Sequence, residues 1–277
     1  MPALDDALVS CLMVTLPVPE RLRFLQDSVA AYCRQTHANK ELIIVTDAGA
    51  ASDKGAIGTF VASLGRSDIK IVDPPAKLTL GALRNLSAAH ASGSIRCHWD
   101  DDDLYHPRRL ELQLDALLAS GSQAVCLQGV MLYFSGPRTL YCTNWHPTPP
   151  KSFPASLMCR RSAPIQYPET GPSSRIGEDM AVALQLQGMG GLHVLADAPH
   201  LYVYVCHGRN TFAPDHYRML ADKLAISRGL LIRREAQLRD ELAPYDFGAG
   251  DVTVQGSNGP AFVLGEPAAP RADGHGD

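Results

Sequence analysis

Four times within about the first 100 residues, a short apolar run gives way to a stretch with helical spacing, and this alternation restricts the fold more than any other feature. Residues 8–15 (LVSCLMVT) read as a buried strand ended by Pro17 and Pro19. Residues 20–36 then place Leu22, Leu25, Val29 and Tyr32 or Cys33 on one helical face. Residues 41–46 (ELIIVT) form a second strand, closed by Asp47, Ala48 and Gly49, with a helix over 53–64. A third strand over 69–72 stops at Pro74 and Pro75. A helix over 81–91 ends at Gly93, and a fourth strand over 94–99 runs into four aspartates. Alternation of this kind predicts an α/β fold with a parallel sheet and right-handed crossovers. Ligands of such sheets gather at the carboxyl ends of the strands. Asp47 and Asp100, Asp101, Asp102 and Asp103 all stand at strand ends, so one crevice can serve them all.

Past Pro107 a helix runs to Ser120 with Leu110, Leu114, Leu117 and Leu118 facing inward. Residues 124–134 and 139–143 read as a hairpin or edge pair, and 147–154 as a Pro-rich loop. A short helix covers 178–188, and strands cover 192–196 and 201–206. Residues 214–242 read as one long amphipathic helix or two, with Leu220, Leu224 and Leu231 among the apolar positions. That helix is expected to pack on the α/β domain or on a partner subunit, giving a homo-oligomer. From Gly248 the chain is rich in Gly, Pro, Ala and Asp, and disorder is expected after Gly265. The expected organisation is an α/β domain over 1–212, a helical extension over 213–247 and a tail over 248–277.

The chain has 277 residues and a net charge of -4, with no electrostatic footprint for nucleic acid. No apolar run reaches the roughly 18 residues that span a bilayer. The start of the chain lacks a basic region and carries Asp5 and Asp6, which argues against a secretory signal. The seven cysteines show no CxxC spacing and no zinc-ligand pairing with histidine; they read as buried thiols of a cytoplasmic protein.

Four consecutive acids repel one another, and without a counter-charge at least one is neutral at pH 7. A solvated acidic turn is the plain reading. This run, however, is pinned between an apolar strand and Pro107 at a helix start, where a solvated run has no need to be. A divalent cation removes the repulsion, and an all-oxygen donor set suits Mg²⁺ or Mn²⁺. An EF-hand loop is excluded, because Leu104 and Tyr105 occupy positions that need an oxygen ligand and a glycine.

The run GALRNLSAAHASGSIRCHWDDDDLYHPRRLELQ, residues 81–113, resembles the donor-site segment of family 2 glycosyltransferases, which have the GT-A fold. The matching features are Arg84-Asn85 opening a helix, Gly93, Asp100-x-Asp102, and Pro107-Arg108-Arg109-Leu110. Upstream, residues 9–17 resemble the family's first strand, with Val18-Pro19 in place of its usual Tyr-Asn. Residues 28–36 end on the typical Gln-Thr, and Asp47 is the survivor of a frequent aspartate pair. Downstream, Gly177-Glu178-Asp179 is similar to a Glu-Asp motif and residues 206–211 (CHGRNT) to a His-Gly-x-Asn motif. The resemblance spans 8–212 and implies a GT-A fold: a mixed, mostly parallel central sheet flanked by helices, with a C-terminal helical extension.

The resemblance implies an inverting, metal-assisted transfer from a nucleoside-diphosphate sugar, UDP by family habit, to an acceptor hydroxyl. Asp102 is implied as the direct Mn²⁺ or Mg²⁺ ligand, and Asp100 or Asp101 as a contact to the ribose or the metal's water shell. Asp103 is either an outer support or solvated. Asp47 is implied as a nucleotide contact over its alternative as a turn residue, and Arg84 as a nucleotide or diphosphate contact over a surface ion pair. Asp179 is implied as general base with Glu178 as its rival, and His207 as a metal or diphosphate ligand. Trp145 and His146 either border the acceptor or pack the loop. The acceptor is open: a glycan, a lipid-linked glycan, a protein or a small molecule. Two other functions compete with this one. A sugar-phosphate nucleotidyltransferase wants a Gly-rich basic loop after the first strand, and residues 16–25 contain no glycine. A non-catalytic nucleotide-sugar-binding module is expected to lack the Glu178-Asp179 pair, which is present.

Overall fold

The computed structural model describes residues 6–47 and 54–265. Among them the expected alternation is present as β1 (Val9–Thr15), α1 (Pro19–Cys33), β2 (Lys40–Thr46), α2 (Lys54–Ser63), β3 (Ile69–Val72), α3 (Leu80–His90) and β4 (Ile95–His98). These four strands pair in parallel in the order β3-β2-β1-β4. Cys11, Met13, Leu42, Ile44 and Cys97 from the sheet meet Leu25, Val29 and Tyr32 of α1 in the main core. Gly81 is required by contact: a Cβ there would sit 1.8 Å from the Pro168 carbonyl oxygen.

The second half departs from the sequence reading in three places. Residues 124–134, expected as one strand, are two: β6 (Ala124–Leu127) and β7 (Gly129–Phe134), in different sheets. Gln128 is the crossing point, its backbone bonded to Leu195 and Trp145 and its amide to Asn144. Next, the loop expected through residue 154 is shorter, because β9 (Phe153–Arg160) begins inside it. This strand is antiparallel to both β4 and β6 and lies between them. With β10 (Leu192–Leu195) it completes a seven-stranded mixed sheet in the order β10-β6-β9-β4-β1-β2-β3.

The third departure is at the carboxyl end, where the stretch read as a tail carries β12 (Val252–Gly256) and β13 (Gly259–Leu264). They extend a six-stranded sheet, β13-β12-β8-β7-β11-β5, with β5 (Leu104–Tyr105), β8 (Thr139–Asn144) and β11 (Tyr202–Cys206). The expected long helix is three short ones, α6 (Pro214–Leu224), α7 (Arg228–Arg233) and α8 (Glu235–Leu242), which follow α4 (Arg109–Ser120) and α5 (Glu178–Gly188). Leu231, Leu238 and Leu242 pack with Val252, Val254 and Phe262 on this chain's own second sheet. Residues after 265 lie outside the described residues. No described helix is long and apolar enough to cross a membrane.

Candidate active site

The acidic run follows β4 at the carboxyl edge of the parallel strands, as expected, but the protein supplies its own counter-charges. Arg84 and His98 face Asp100, Arg21 is shared by Asp101 and Asp102, and Asp103 is held by neutral donors. Asp100 Oδ1 accepts from Arg84 Nη2 at 2.8 Å and lies 3.0 Å from His98 Nε2. Burial pushes its carboxyl up, but Arg84 and His98 outweigh this and hold it well below the usual carboxylate range.

Asp101 is enclosed. Its oxygens accept from Arg21, through Nη2 and through Nε at 3.2 Å, and from the Thr15 hydroxyl at 2.5 Å. Burial, then the charge of Asp102, raise its carboxyl to about 6 against the pull of Arg21. Asp103 is also buried rather than solvated: Tyr202 donates to Oδ2 at 2.6 Å and the Val205 N–H to Oδ1 at 2.8 Å. Burial, with Asp102 and Asp100 nearby, pushes this group up as well.

Asp102 is, with Asp100, one of the two half-buried acids of the run. Its Oδ2 lies 2.9 Å from Arg21 Nη2 and 3.0 Å from His207 Nε2. Asp102 and His207, implied separately as ligands, are thus in contact. His207 stacks on Phe24 of α1, with ring centroids 4.4 Å apart. Its Nδ1 accepts from the Arg209 N–H at 3.2 Å, which places the ring proton on Nε2, toward Asp102. In this arrangement the ring is a donor; direct metal ligation through Nε2 would require it to give up the Arg209 contact. Among the described residues no three His, Cys, Asp or Glu side chains converge as a metal-binding group. A single exposed carboxylate does fit Mg²⁺ or Mn²⁺ when substrate phosphates and water fill the other positions.

Asp47 ends β2 beside the cluster. Its backbone N–H donates to the Thr15 carbonyl at 2.9 Å, while the Thr15 hydroxyl holds Asp101. Thr15 thus links the two acidic positions expected to share a crevice; Ala48 and Gly49 lie outside the described residues.

Arg84 is not the surface residue of its plain reading. It is buried and joins two elements, with Nη2 on Asp100 and Nε 3.3 Å from Glu178 Oε1. This bridge fixes the start of α5 against the acidic loop and commits Glu178 to a cation. Asp179, the next residue, accepts from the Met180 N–H at 2.7 Å and is partly exposed. Burial, then the neighbouring charge of Glu178, raise its carboxyl. Gly177, at φ 77°, turns the chain into α5. Trp145 is loop packing: it is buried, stacks near Phe153 and donates its indole N–H to Thr143 at 3.0 Å.

Two cations that hold the site together were missed as site residues. Arg21 reads as an ordinary polar position of an amphipathic helix, and no spacing marks it. Arg109 was noted only as part of a motif. It is fully buried, its guanidinium 5.2, 4.6 and 4.8 Å from the ring centres of Trp99, Tyr105 and Tyr202. There it props the acidic loop from below, donating to the His98 carbonyl at 2.9 Å.

A mostly parallel sheet with acids at its carboxyl edge, joined to a second sheet that brings in a His-Gly loop, is the GT-A architecture of glycosyltransferases. Solved structures share it. The mannosyltransferase PcManGT from Pyrobaculum calidifontis, in complex with GDP-Man and Mn²⁺, aligns with a TM-score of 0.55 at 14% identity, over 85% of this chain and 63% of that one. S. aureus TarS 1-349 in complex with UDP aligns with a TM-score of 0.55 at 14% identity, over 85% and 70%. At such identity the likeness is one of fold. An uncharacterized glycosyltransferase of Rickettsia bellii (strain RML369-C) is 34% identical over 113 residues, 40% of this chain and 15% of that protein. The family model for glycosyl transferase family 2 matches residues 13–168, more than half of the chain, and the chain belongs to that family.

Proposed function

We propose that this chain is an inverting, metal-assisted glycosyltransferase that moves a sugar from a nucleoside diphosphate to an acceptor hydroxyl, with Asp179 as general base. The observation that carries this reading is the division of labour between two adjacent acids: Glu178 is held by Arg84, whereas Asp179 is partly exposed, raised in basicity and bonded only locally. In the displacement, the acceptor oxygen bonds to the anomeric carbon and its proton passes to Asp179. The carbon–oxygen bond to the diphosphate breaks, and its electron pair leaves on the diphosphate. One base and one displacement need no enzyme nucleophile, and the anomeric centre inverts.

Asp102 would hold Mn²⁺ or Mg²⁺, which when bound neutralises the diphosphate leaving group. His207, with its proton on Nε2, donates to Asp102 or to the diphosphate. Asp47 and Asp100 would take the nucleoside's hydroxyls or base edge. Asp101 is closed in by Arg21 and Thr15 and serves to position the loop. UDP in TarS and GDP-Man in PcManGT support a nucleoside-diphosphate sugar as donor; UDP is the proposed nucleotide. Six cysteines buried in the core as thiols suit the proposed cytoplasmic location.

Thermal shift and calorimetry with UDP, GDP and their sugars, with and without Mn²⁺, test donor binding; a ligand at 100 times its dissociation constant adds about 2.7 kcal/mol. Donor hydrolysis, with water as acceptor, then tests the base. Asp179→Asn should lower its rate by ~10²–10⁴-fold, with the donor dissociation constant changed less than about threefold. Glu178→Gln should weaken the Arg84 bridge and lower stability as well as rate. If Asp179→Asn keeps the wild-type rate, Asp179 is not the base. If no nucleotide binds, the reading fails altogether.

A further inference from the structure

The carboxylate oxygen proposed to receive the cation already carries a guanidinium. Arg21 Nη2 is 2.9 Å from Asp102 Oδ2, the same oxygen that lies 3.0 Å from His207 Nε2. Arg21 has a second hold, on both oxygens of Asp101 through Nε and Nη2. The two holds differ. Asp101 is enclosed and braced by Thr15, whereas Asp102 sits at the open side of the loop, with its side chain 14% exposed. Arg21 itself is 19% exposed, so part of its side chain reaches solvent. One turn of helix further along α1, Phe24 stacks on His207, so one face of α1 contacts both Asp102 and His207.

Two positive groups at one carboxylate oxygen repel each other strongly, and a guanidinium binds phosphate oxygens in the same forked geometry in which it binds a carboxylate. We infer that Arg21 is an exchangeable counter-ion: it neutralises Asp102 until a divalent cation arrives, then keeps Asp101 and swings its free edge onto the donor's diphosphate. This rests on the proposed donor and metal reading. It makes Arg21 a competitor of the bare cation and an ally of the cation–nucleotide complex. Charge near the leaving group is then conserved: what Arg21 releases at Asp102 it regains at phosphate. The exchange also gives a reason for cation and nucleotide to bind as a pair, since either alone leaves one partner of Arg21 unmatched.

Manganese binding to the full chain, followed by electron paramagnetic resonance without nucleotide, together with calorimetry of UDP in the presence of saturating Mn²⁺, tests the exchange. Arg21→Gln should bind bare Mn²⁺ about fivefold or more tightly, and UDP with Mn²⁺ about fivefold or more weakly, the lower end of ordinary coupling between sites. Arg21→Lys keeps the charge without the fork and should fall between. Arg23→Gln is the control: Arg23 lies on the same helix, is exposed, and pairs only loosely with Asp27 at 3.8 Å, so neither affinity should move. A purely structural Arg21 would lower both affinities or neither, and either pattern overturns the inference. Equal tightening by Arg23→Gln would assign the effect to net charge and overturn it too. If the wild-type chain binds neither Mn²⁺ nor UDP, the functional reading has failed, an outcome distinct from wild-type binding that Arg21→Gln leaves unchanged.

Discussion

Asp103 and Val205 are joined by a 2.8 Å hydrogen bond from the Val205 backbone N–H to Oδ1, and Val205 stands two residues before His207. The last acid of the run therefore fixes β11, and through it the loop that brings histidine to the third acid. Tyr202 on the same strand holds the other oxygen at 2.6 Å. An asparagine keeps one acceptor but turns an N–H₂ toward a donor. Asp103→Asn should cost about 1–3 kcal/mol in urea unfolding and weaken donor binding, although Asp103 touches no ligand. Unchanged stability would mean that β11 is held without it.

Gly177 has φ 77°, and a Cβ added there meets nothing within 4 Å. The cost of Gly177→Ala is then backbone strain alone, about 1–2 kcal/mol, and donor hydrolysis should fall with it because Gly177 caps α5, whose first two residues are Glu178 and Asp179. Gly136→Ala, also in open space but without a positive φ, is the comparison and should be near neutral. Equal effects at both positions would count against strain as the cause.

His106 and His200 pack edge to face, with ring centroids 5.1 Å apart, under Tyr245, whose hydroxyl donates to the His200 carbonyl. Burial, then each other's charge and Arg108, lower His106 to about 4; burial and Arg108 lower His200 to about 4. Both lie below the roughly 6.5 of a free histidine. Between those values the unfolded chain binds more protons than the folded one. Stability is therefore full above about pH 6.5 and is lost as pH falls toward 4. Melting temperatures measured from pH 7 to 4 should show that fall, and His106→Asn with His200→Asn should flatten it. An unchanged slope in the double variant would assign the acid sensitivity to other groups.

Truncation after Phe247 removes β12 and β13, and with them Val252, Val254 and Phe262 from the second core. It also exposes the edge of β8, which pairs with β12 in parallel. Folding stabilities are only about 5–15 kcal/mol in total, so the truncated chain should be unfolded or aggregated by size exclusion and circular dichroism. A soluble, cooperative product would show that the hairpin is an accessory.

The first half was legible because β1 and β2 are buried, largely apolar runs and Pro, Gly and Asp punctuation bounds β3 and β4; all four lie within one or two residues of their expected bounds. The second half hid its strands by composition. Residues 153–160 (FPASLMCR) contain Pro154 and Ser156 beside a Pro-rich loop, yet Pro154 falls next to the irregular register between β6 and β9, where a missing N–H is tolerated. The Ser156 hydroxyl accepts from the Leu127 N–H at 2.8 Å and bridges that irregularity. Asn258-Gly259 is a hairpin-turn signal that the Gly-, Pro- and Ala-rich surroundings masked. In the site, the acids and His207 were visible as motifs, whereas Arg21 was not, because an ion pair formed across 80 residues leaves no periodicity behind.

The position of β9 bears on the order in which the chain assembles. Once residue 98 has left the ribosome, β3, β2, β1 and β4 can pair, but β4 stays an open edge until residues 153–160 arrive. β6 is made earlier than β9 yet meets the sheet only through it. The contacts that close the sheet thus join distant parts of the chain, a topology that slows folding and leaves an unpaired apolar edge exposed during synthesis. Recombinant yield should therefore depend on chaperone supply and growth temperature more steeply than the stability of the finished enzyme would suggest.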